Sequence, residues 1–321
     1  MKGVVLLCTV WLVAGSATAH AQQRFALIVS GATGSSEYAT QYASWRDGFS
    51  RTLTERMKFD PARITTLSET DGAETAATAV NVRKALGLVR TRMTRDDLLI
   101  VLLIGHGTSD GEAAKFNLVG PDLESAEWAS LLQTLPGRVA IVNTTAGSFP
   151  FIERLSGPRR IVIAATDSVA QRFDTVFPAY FIGAFSDDGA DLDKNGRVSL
   201  WEAFASASAA VRRHYQQRGQ LSTERSLLDD NGDGVGGSAS EKGTDGSQAI
   251  RTYLDENIPG ATPTDEVLLA LLQRKSLVET ELDELKIRRT FLQRDEYLKE
   301  FERIVTELAR VSSEIRLRGK S

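Results

Sequence analysis

Cysteine is almost missing from this chain: Cys8 is the single one among 321 residues. It falls in residues 1–21, where Lys2, the apolar stretch Gly3 to Val13 and the small residues ending Ala19-His20-Ala21 read as a secretory signal cleaved before Gln22. A short transmembrane anchor is the alternative, but the apolar run falls below the roughly 20 residues needed to span a bilayer. Removal of 1–21 leaves a chain without cysteine, which excludes disulfides, thiol nucleophiles and thiolate metal sites. Cys8 lies too early in the apolar stretch to be lipidated. The expectation is an exported protein, periplasmic or extracellular, with no membrane span after cleavage. A basic excess is also lacking: the formal net charge is −4, and no concentrated basic face shows, which argues against nucleic acid as partner. Histidines number 3, so candidates for a general base are few. Proline and glycine are both absent from Thr264 to Leu317.

What is present from 24 to 185 alternates short apolar runs with helical periodicities. Phe25 to Val29, Ile64 to Leu67, Asp97 to Ile104, Arg138 to Val142 and Arg160 to Ala164 read as strands, and DLLIVLLI at 97–104 is continuous enough for a strand buried on both faces. Between them Tyr42 to Met57, with Trp45, Phe49 and Leu53 on one face, reads as a helix. So does Ala76 to Met93, with Val80, Val82, Leu86 and Val89 inward, and Ala126 to Leu135 and Phe149 to Leu155 can be helical. Alternation of this kind implies right-handed βαβ crossovers, a mostly parallel sheet in a three-layer α/β domain, and functional residues at the carboxyl ends of the strands.

The composition changes near 186. Asp191-Leu-Asp193-Lys-Asn195-Gly196-Arg197-Val-Ser199-Leu-Trp-Glu202 matches the calcium loop of an EF-hand at every informative position. Alternate residues of a tight loop turn hard oxygens inward: side chains of Asp191, Asp193 and Asn195, the Arg197 carbonyl, a direct or water-bridged Ser199 oxygen and a bidentate Glu202. An acidic turn capping a helix is the competing reading, since Ser199 and Glu202 also form a capping box; the two are compatible. A second loop begins with Asp229, Asn231, Asp233 and the Val235 carbonyl, but its twelfth position is Ser240, with Glu241 one residue late. This second Ca²⁺ site is therefore weak, or the stretch is a plain Asx-rich turn trailing into a flexible linker.

Beyond it, Thr262 as N-cap, Pro263 at the first helical position and Asp265 mark a helix start. Tyr297, Phe301, Ile304, Leu308, Val311 and Ile315 form a coiled-coil seam, and Leu271, Val278, Leu282, Leu285 and Leu292 hold a similar register that breaks before Tyr297. A hairpin turn or a stutter near 288–296 explains the break. Such a stripe serves packing or self-association. The chain thus divides into 1–21, an α/β domain over 22–185, a calcium-binding segment over 186–262 and a coiled coil or helical hairpin over 263–318.

The candidate reactive residues sit at strand tips. His106 lies between two glycines after DLLIVLLI, whereas His20 is in the signal and His214 in a basic helical context. On LLIVLLIGHG at 98–107, FNLVGPDL at 116–123, VAIVNTTAGS at 139–148 and RIVIAAT at 160–166 followed by VFPAYFIGAF, the chain resembles the legumain and caspase group of cysteine peptidases, in particular their legumain-like bacterial members. The resemblance implies a caspase/legumain-like three-layer sandwich, and it matches His106 to the family's catalytic histidine. The family cysteine stands three residues before the turn glycine, which here is Thr144 before Gly147. An alcohol needs a base within hydrogen-bond reach, which a thiolate does not. No residue to orient the imidazole stands out; Asp110 and Glu112 are near only in sequence. The expectation is an exported Ca²⁺-binding protein with an inactive peptidase-like domain that binds a peptide or protein. The alternatives are a hydrolase using Thr144, with Thr145 and Ser148 as further hydroxyls, and a purely structural calcium-stabilised envelope protein.

Overall fold

The computed structural model describes residues 22–70, 72–109, 113–241, 243–256 and 266–318. The expected secretory signal and the helix start at Thr262, Pro263 and Asp265 lie outside the described residues, as do Asp110 and Glu112.

The chain is a mixed α/β protein with a mostly parallel sheet. Strands β1 (Arg24–Ser30), β2 (Ile64–Leu67), β3 (Leu98–Ile104), β7 (Arg138–Asn143), β8 (Arg160–Ala164) and β9 (Leu227–Asp229) run in the order β2-β1-β3-β7-β8-β9. All neighbours are parallel except β8 and β9. A small antiparallel sheet of β4 (Gly107–Ser109), β5 (Ala114–Phe116) and β6 (Leu123–Glu124) sits beyond the end of β3.

Side chains alternate across a strand, so one continuous apolar run feeds two cores. Leu98, Ile100, Leu102 and Ile104 of β3 face one layer, formed by α1 (Ser36–Arg51), α5 (Phe177–Ala184) and α6 (Leu200–Gln217) through Phe49, Phe181 and Phe204. Leu99, Val101 and Leu103 face the other, formed by α2 (Ala79–Arg92), α3 (Ser125–Gln133) and α4 (Phe151–Leu155) through Val82, Trp128 and Phe151. Every residue of β3 is buried, as the run without polar breaks requires.

Several helices differ from their expected bounds for local reasons. The Ser35 hydroxyl accepts from the Tyr38 N–H, which starts α1 before Tyr42, and after Arg51 the same helix loosens into a π-turn over Thr52–Arg56 closed by Met57 N–H to Thr52 O, 3.0 Å. Thr78 caps α2, so Val80 falls in the first turn on the outer face and is 68% exposed rather than inward. β9, expected as part of an acidic loop, completes the sheet edge because Leu227 and Leu228 supply two buried apolar residues.

The segment that composition suggested as a flexible linker is tied to the body. The buried Asp230 carboxylate accepts N–H groups of Gly246 at 2.8 Å, Gln248 at 2.7 Å and Ala249 at 2.7 Å. Ala249, Ile250 and Leu254 then enter the core beside Trp201. At the C-terminus α7 (Glu266–Arg288) and α8 (Arg294–Arg318) form a hairpin, its turn where the register breaks. Val278, Leu285 and Ile304 close its interior, while Val311 and Ile315 reach the body's own core. The seam that suggested self-association is thus packed within the chain. Among the described residues no helix is long and apolar enough to cross a membrane.

Asp230→Ala removes the acceptor from three amides at once, and each buried donor left without a partner costs about 1–3 kcal/mol. The variant is expected to unfold in urea with a stability loss of about 3 kcal/mol or more; a loss below about 1 kcal/mol would show that this carboxylate does not anchor the segment.

Candidate functional site

Two places gather reactive side chains. The first is the carboxyl edge of the sheet, where parallel strands deliver their following loops to one side. Gly105, after β3, has φ +147°, and Gly107 and Gly147 pack against each other so closely that a Cβ on Gly147 would lie 2.8 Å from the Gly107 carbonyl carbon. A Cβ on Gly107 would collide with the Thr145 hydroxyl. The small residues in both turns are therefore what lets the β3 and β7 tips interlock, with His106 between the two glycines of the first.

A cleft of about 70 Å³ opens there, lined by Tyr38, Tyr42, Trp45, His106, Thr144 and Asp174 among others. His106 Nε2 lies 3.1 Å from the Tyr42 hydroxyl and Nδ1 lies 3.4 Å from Asp174 Oδ1. The Tyr38 hydroxyl donates to Asp174, and the Tyr38 ring meets the imidazole edge-on at 4.7 Å. Burial, then the charge of Asp174, pushes the Tyr42 phenol well above its ordinary value. Tyr42 therefore keeps its proton. Both ring nitrogens of His106 therefore have a partner, Nδ1 a carboxylate and Nε2 a phenol.

Thr144 lines the same cleft but is 1% exposed, and its hydroxyl donates to the Leu103 carbonyl at 2.7 Å. No hydrogen bond joins it to His106 among the described residues. Its carbonyl accepts from the Thr175 hydroxyl. Thr145 is fully buried with its hydroxyl against Gly107, and Ser148 is held by Thr166, Oγ to Oγ1 at 3.0 Å. Among the described residues none of the three hydroxyls is hydrogen-bonded to the imidazole, as a primed nucleophile would be. Asp174, in the stretch QRFDTVFP, and Tyr42 are the imidazole's partners that sequence reading missed. Neither carries a local signal, because each is brought there by a different element.

The second place is the acidic loop before α6. Asp191, Asp193 and Glu202 each present a carboxylate oxygen, and these atoms lie within 4.8 Å of one another. Glu202 is fully buried and accepts from Leu192 N at 2.8 Å, Asp193 N at 3.2 Å, Ser199 N at 2.9 Å and the Ser199 hydroxyl at 2.8 Å. Ser199 in turn accepts from Glu202 N at 3.2 Å, so the expected capping box is present. Asp191 closes the loop by accepting from Asn195 N and Gly196 N, and Gly196 has φ +85°. Asn195 donates to Asp193 at 2.9 Å and to the Tyr253 hydroxyl at 3.1 Å. The Arg197 guanidinium is paired with Asp255 and stacked on Tyr253, 3.9 Å to the ring centre, which holds the loop against the body while leaving the carboxylates without that cation. Lys194 is engaged with the Asp188 carbonyl.

Crowded, buried carboxylates resist ionisation. Burial, then the charge of Asp193, pushes Glu202 up to about 7, and burial with Asp191 pushes Asp193 up to about 6. The donors offered are all oxygen, and a cation among them would relieve both the repulsion and the burial penalty.

The second loop is arranged differently. Asp229 accepts from Gly232 N and Gly234 N, Asn231 from Asp233 N, and Asp233 from Val235 N, each within 2.9 Å. Asp245, which sequence reading did not single out, accepts from Asp230 N at 3.1 Å and is pushed up to about 6 by burial and then by the charges of Asp229 and Asp230. Glu241 pairs outward with Arg225 at 3.2 Å. Among the described residues, only Asp191, Asp193 and Glu202 form a group of three ligand atoms in close approach.

No family model and no curated protein matches the chain. Among solved structures it is similar to the crystal structure of protein GSU0716 from Geobacter sulfurreducens. That match has 13% identity and a TM-score of 0.42, and covers 64% of this chain and 92% of the other.

A carboxyl group whose pKa is raised on folding contributes stability that is complete below its unfolded value and is lost as pH rises through its folded value. In a chelator, stability is therefore expected to fall as pH rises from about 4.5 to about 7.5, through Glu202 and Asp193 acting as a pair. Glu202→Gln should flatten this slope in melting curves taken across that range; equal slopes in both proteins would refute the assignment.

Proposed function

We propose that this is an exported Ca²⁺-binding protein whose legumain/caspase-like domain binds a peptide or protein segment in the His106 cleft without hydrolysing it. The observation that carries the reading is the direction of the Thr144 hydroxyl. It donates into the backbone of the β3 tip while the imidazole is engaged by Tyr42 and Asp174. A serine- or threonine-type reaction needs the hydroxyl on the base, because an alcohol does not ionise unaided near neutral pH. The sheet with helices on both faces and functional residues at its carboxyl edge is compatible with the peptidase resemblance. Tyr38 and Trp45, with the buried Tyr42 behind them, offer a peptide a surface for stacking.

The loop from Asp191 to Glu202 is the proposed Ca²⁺ site, an EF-hand. Hard oxygens from Asp191, Asp193, Asn195 and Glu202, with the Arg197 carbonyl and Ser199, fit a cation that takes six to eight of them. Asp229, Asn231, Asp233 and the Val235 carbonyl form the weaker second site, lacking a carboxylate at its closing position.

For the cleft, hexapeptides selected by phage display on the wild-type protein should bind His106→Ala about tenfold more weakly and remain uncut by mass spectrometry after a day's incubation. Cleavage that disappears in His106→Ala would establish the hydrolase reading instead; binding unaffected by His106→Ala would place the peptide elsewhere.

For the metal, Ca²⁺ at a hundredfold excess over its Kd should stabilise the wild type by about 2.7 kcal/mol, since an ion bound only by the folded chain shifts unfolding by mass action. At pH 7.5 this appears as a rise in melting temperature of about 4–5 °C that Glu202→Gln loses. If Glu202→Gln keeps the rise, the first loop is not the site.

A further inference from the structure

A further cavity is lined by residues of neither site. Between α6, the stretch from Ser222 to Glu241 and α7 there is a cavity of about 400 Å³. Part of its wall is apolar: Phe177, Val211 and Ala239 are buried there, and Leu277 of α7 lies across from them. The rest is polar and carries the guanidinium of Arg212.

Arg212 is half-buried, and its Nε–H is fully buried with no hydrogen-bond partner. Among the described residues the side chain makes no ion pair either. Asp283, Glu279 and Glu284 on α7 attract it from a distance, but Asp283 is paired with Lys286 and Glu279 faces Lys275, and Glu284 is exposed. Glu284 also lines the cavity, and the two other acidic groups of the wall are satisfied. Glu224 accepts from Val176 N at 2.8 Å, Phe177 N at 3.1 Å and the Tyr215 hydroxyl at 2.7 Å, and Glu241 pairs with Arg225. Among the described residues Arg212 thus has no paired counter-ion, and burial works against its charge. That Nε–H has no accessible surface, so an anion in the cavity would be met by the terminal N–H groups of the guanidinium.

We propose that this cavity binds the carboxylate of a small amphipathic acid, with Arg212 as the anion-binding group and Phe177, Val211 and Leu277 around the apolar part. A planar guanidinium suits a carboxylate, and the chamber has the size and mixed lining of a small-molecule site. The same chemistry is available from a free acid or from the C-terminus of a peptide ending in an apolar residue. This site is separate from the His106 cleft and does not depend on the reading of that cleft.

The test is calorimetric titration of the chain from Gln22 onward with N-acetyl-leucine, with N-acetyl-leucinamide and with a hexapeptide ending in leucine. N-acetyl-leucine should bind saturably and the amide at least about tenfold more weakly, with the same loss for the acid in Arg212→Gln. Binding of the hexapeptide as well would name a peptide terminus as a source; binding of the small acid alone would name a free acid. Leu277→Trp, which narrows the chamber and leaves Arg212 in place, should also abolish binding, with folding of both variants checked by circular dichroism. Absence of saturable binding by either carboxylate, equal affinity for acid and amide, or full affinity in folded Arg212→Gln would overturn the proposal and leave Arg212 to water.

Discussion

Burial of β3 on both faces is the constraint from which the rest of the architecture follows. Seven consecutive residues from Leu98 to Ile104 are removed from water, and a strand can hide both its faces only inside a sheet that is itself covered on both sides. That requirement places β1 and β7 as its neighbours, α1, α5 and α6 on one face, and α2, α3 and α4 on the other. With the faces covered, the open ground left to the central strands is at their ends. His106, Thr144 and the loop carrying Asp174 meet at the carboxyl end because parallel strands all deliver their exits there.

Geometry at that edge is set by small residues more than by the reactive ones. Gly107, Gly147 and Thr145 fill one another's space, and a side chain on either glycine has no room. The interlock turns the Thr144 hydroxyl toward the Leu103 carbonyl and leaves the imidazole to Tyr42 and Asp174. The histidine is held by a phenol and a carboxylate against an aromatic wall. It is poorly positioned to deprotonate an alcohol that is already bonded elsewhere.

The acidic loop shows the opposite balance, since its geometry is satisfied while its charge is not. Glu202 takes up both the amides at the start of the loop and the cap of α6, so its position is determined by hydrogen bonds. Its ionisation is opposed by burial and by Asp193. The structure thus spends hydrogen bonds to collect negative charge in one place, an arrangement that a cation would complete and protons would relieve only at lower pH.

Periodicity and local chemistry were legible in the sequence to a large degree. The apolar runs of the five parallel strands, the hairpin break after Leu292, the Ser199 to Glu202 capping box and the tight turn at Gly196 are all patterns within a few residues of each other. The apolar run 97–104 by itself demanded a two-faced sheet. What the sequence did not disclose depends on distant residues meeting. Val80 reads as inward until the cap at Thr78 fixes its phase. Leu227 and Leu228 become an edge strand only because β8 has an open side. Asp174, Asp245 and Tyr253 reach their partners across many residues of chain, so no local pattern marks them. By itself the sequence determined which side chains were available, including the absence of a thiol beyond Cys8 and an oxygen-rich loop before α6. Tertiary structure alone decided where the Thr144 hydroxyl points and that the Arg212 Nε–H is buried, because hydrogen-bond direction and burial are properties of packed neighbours and not of residue order.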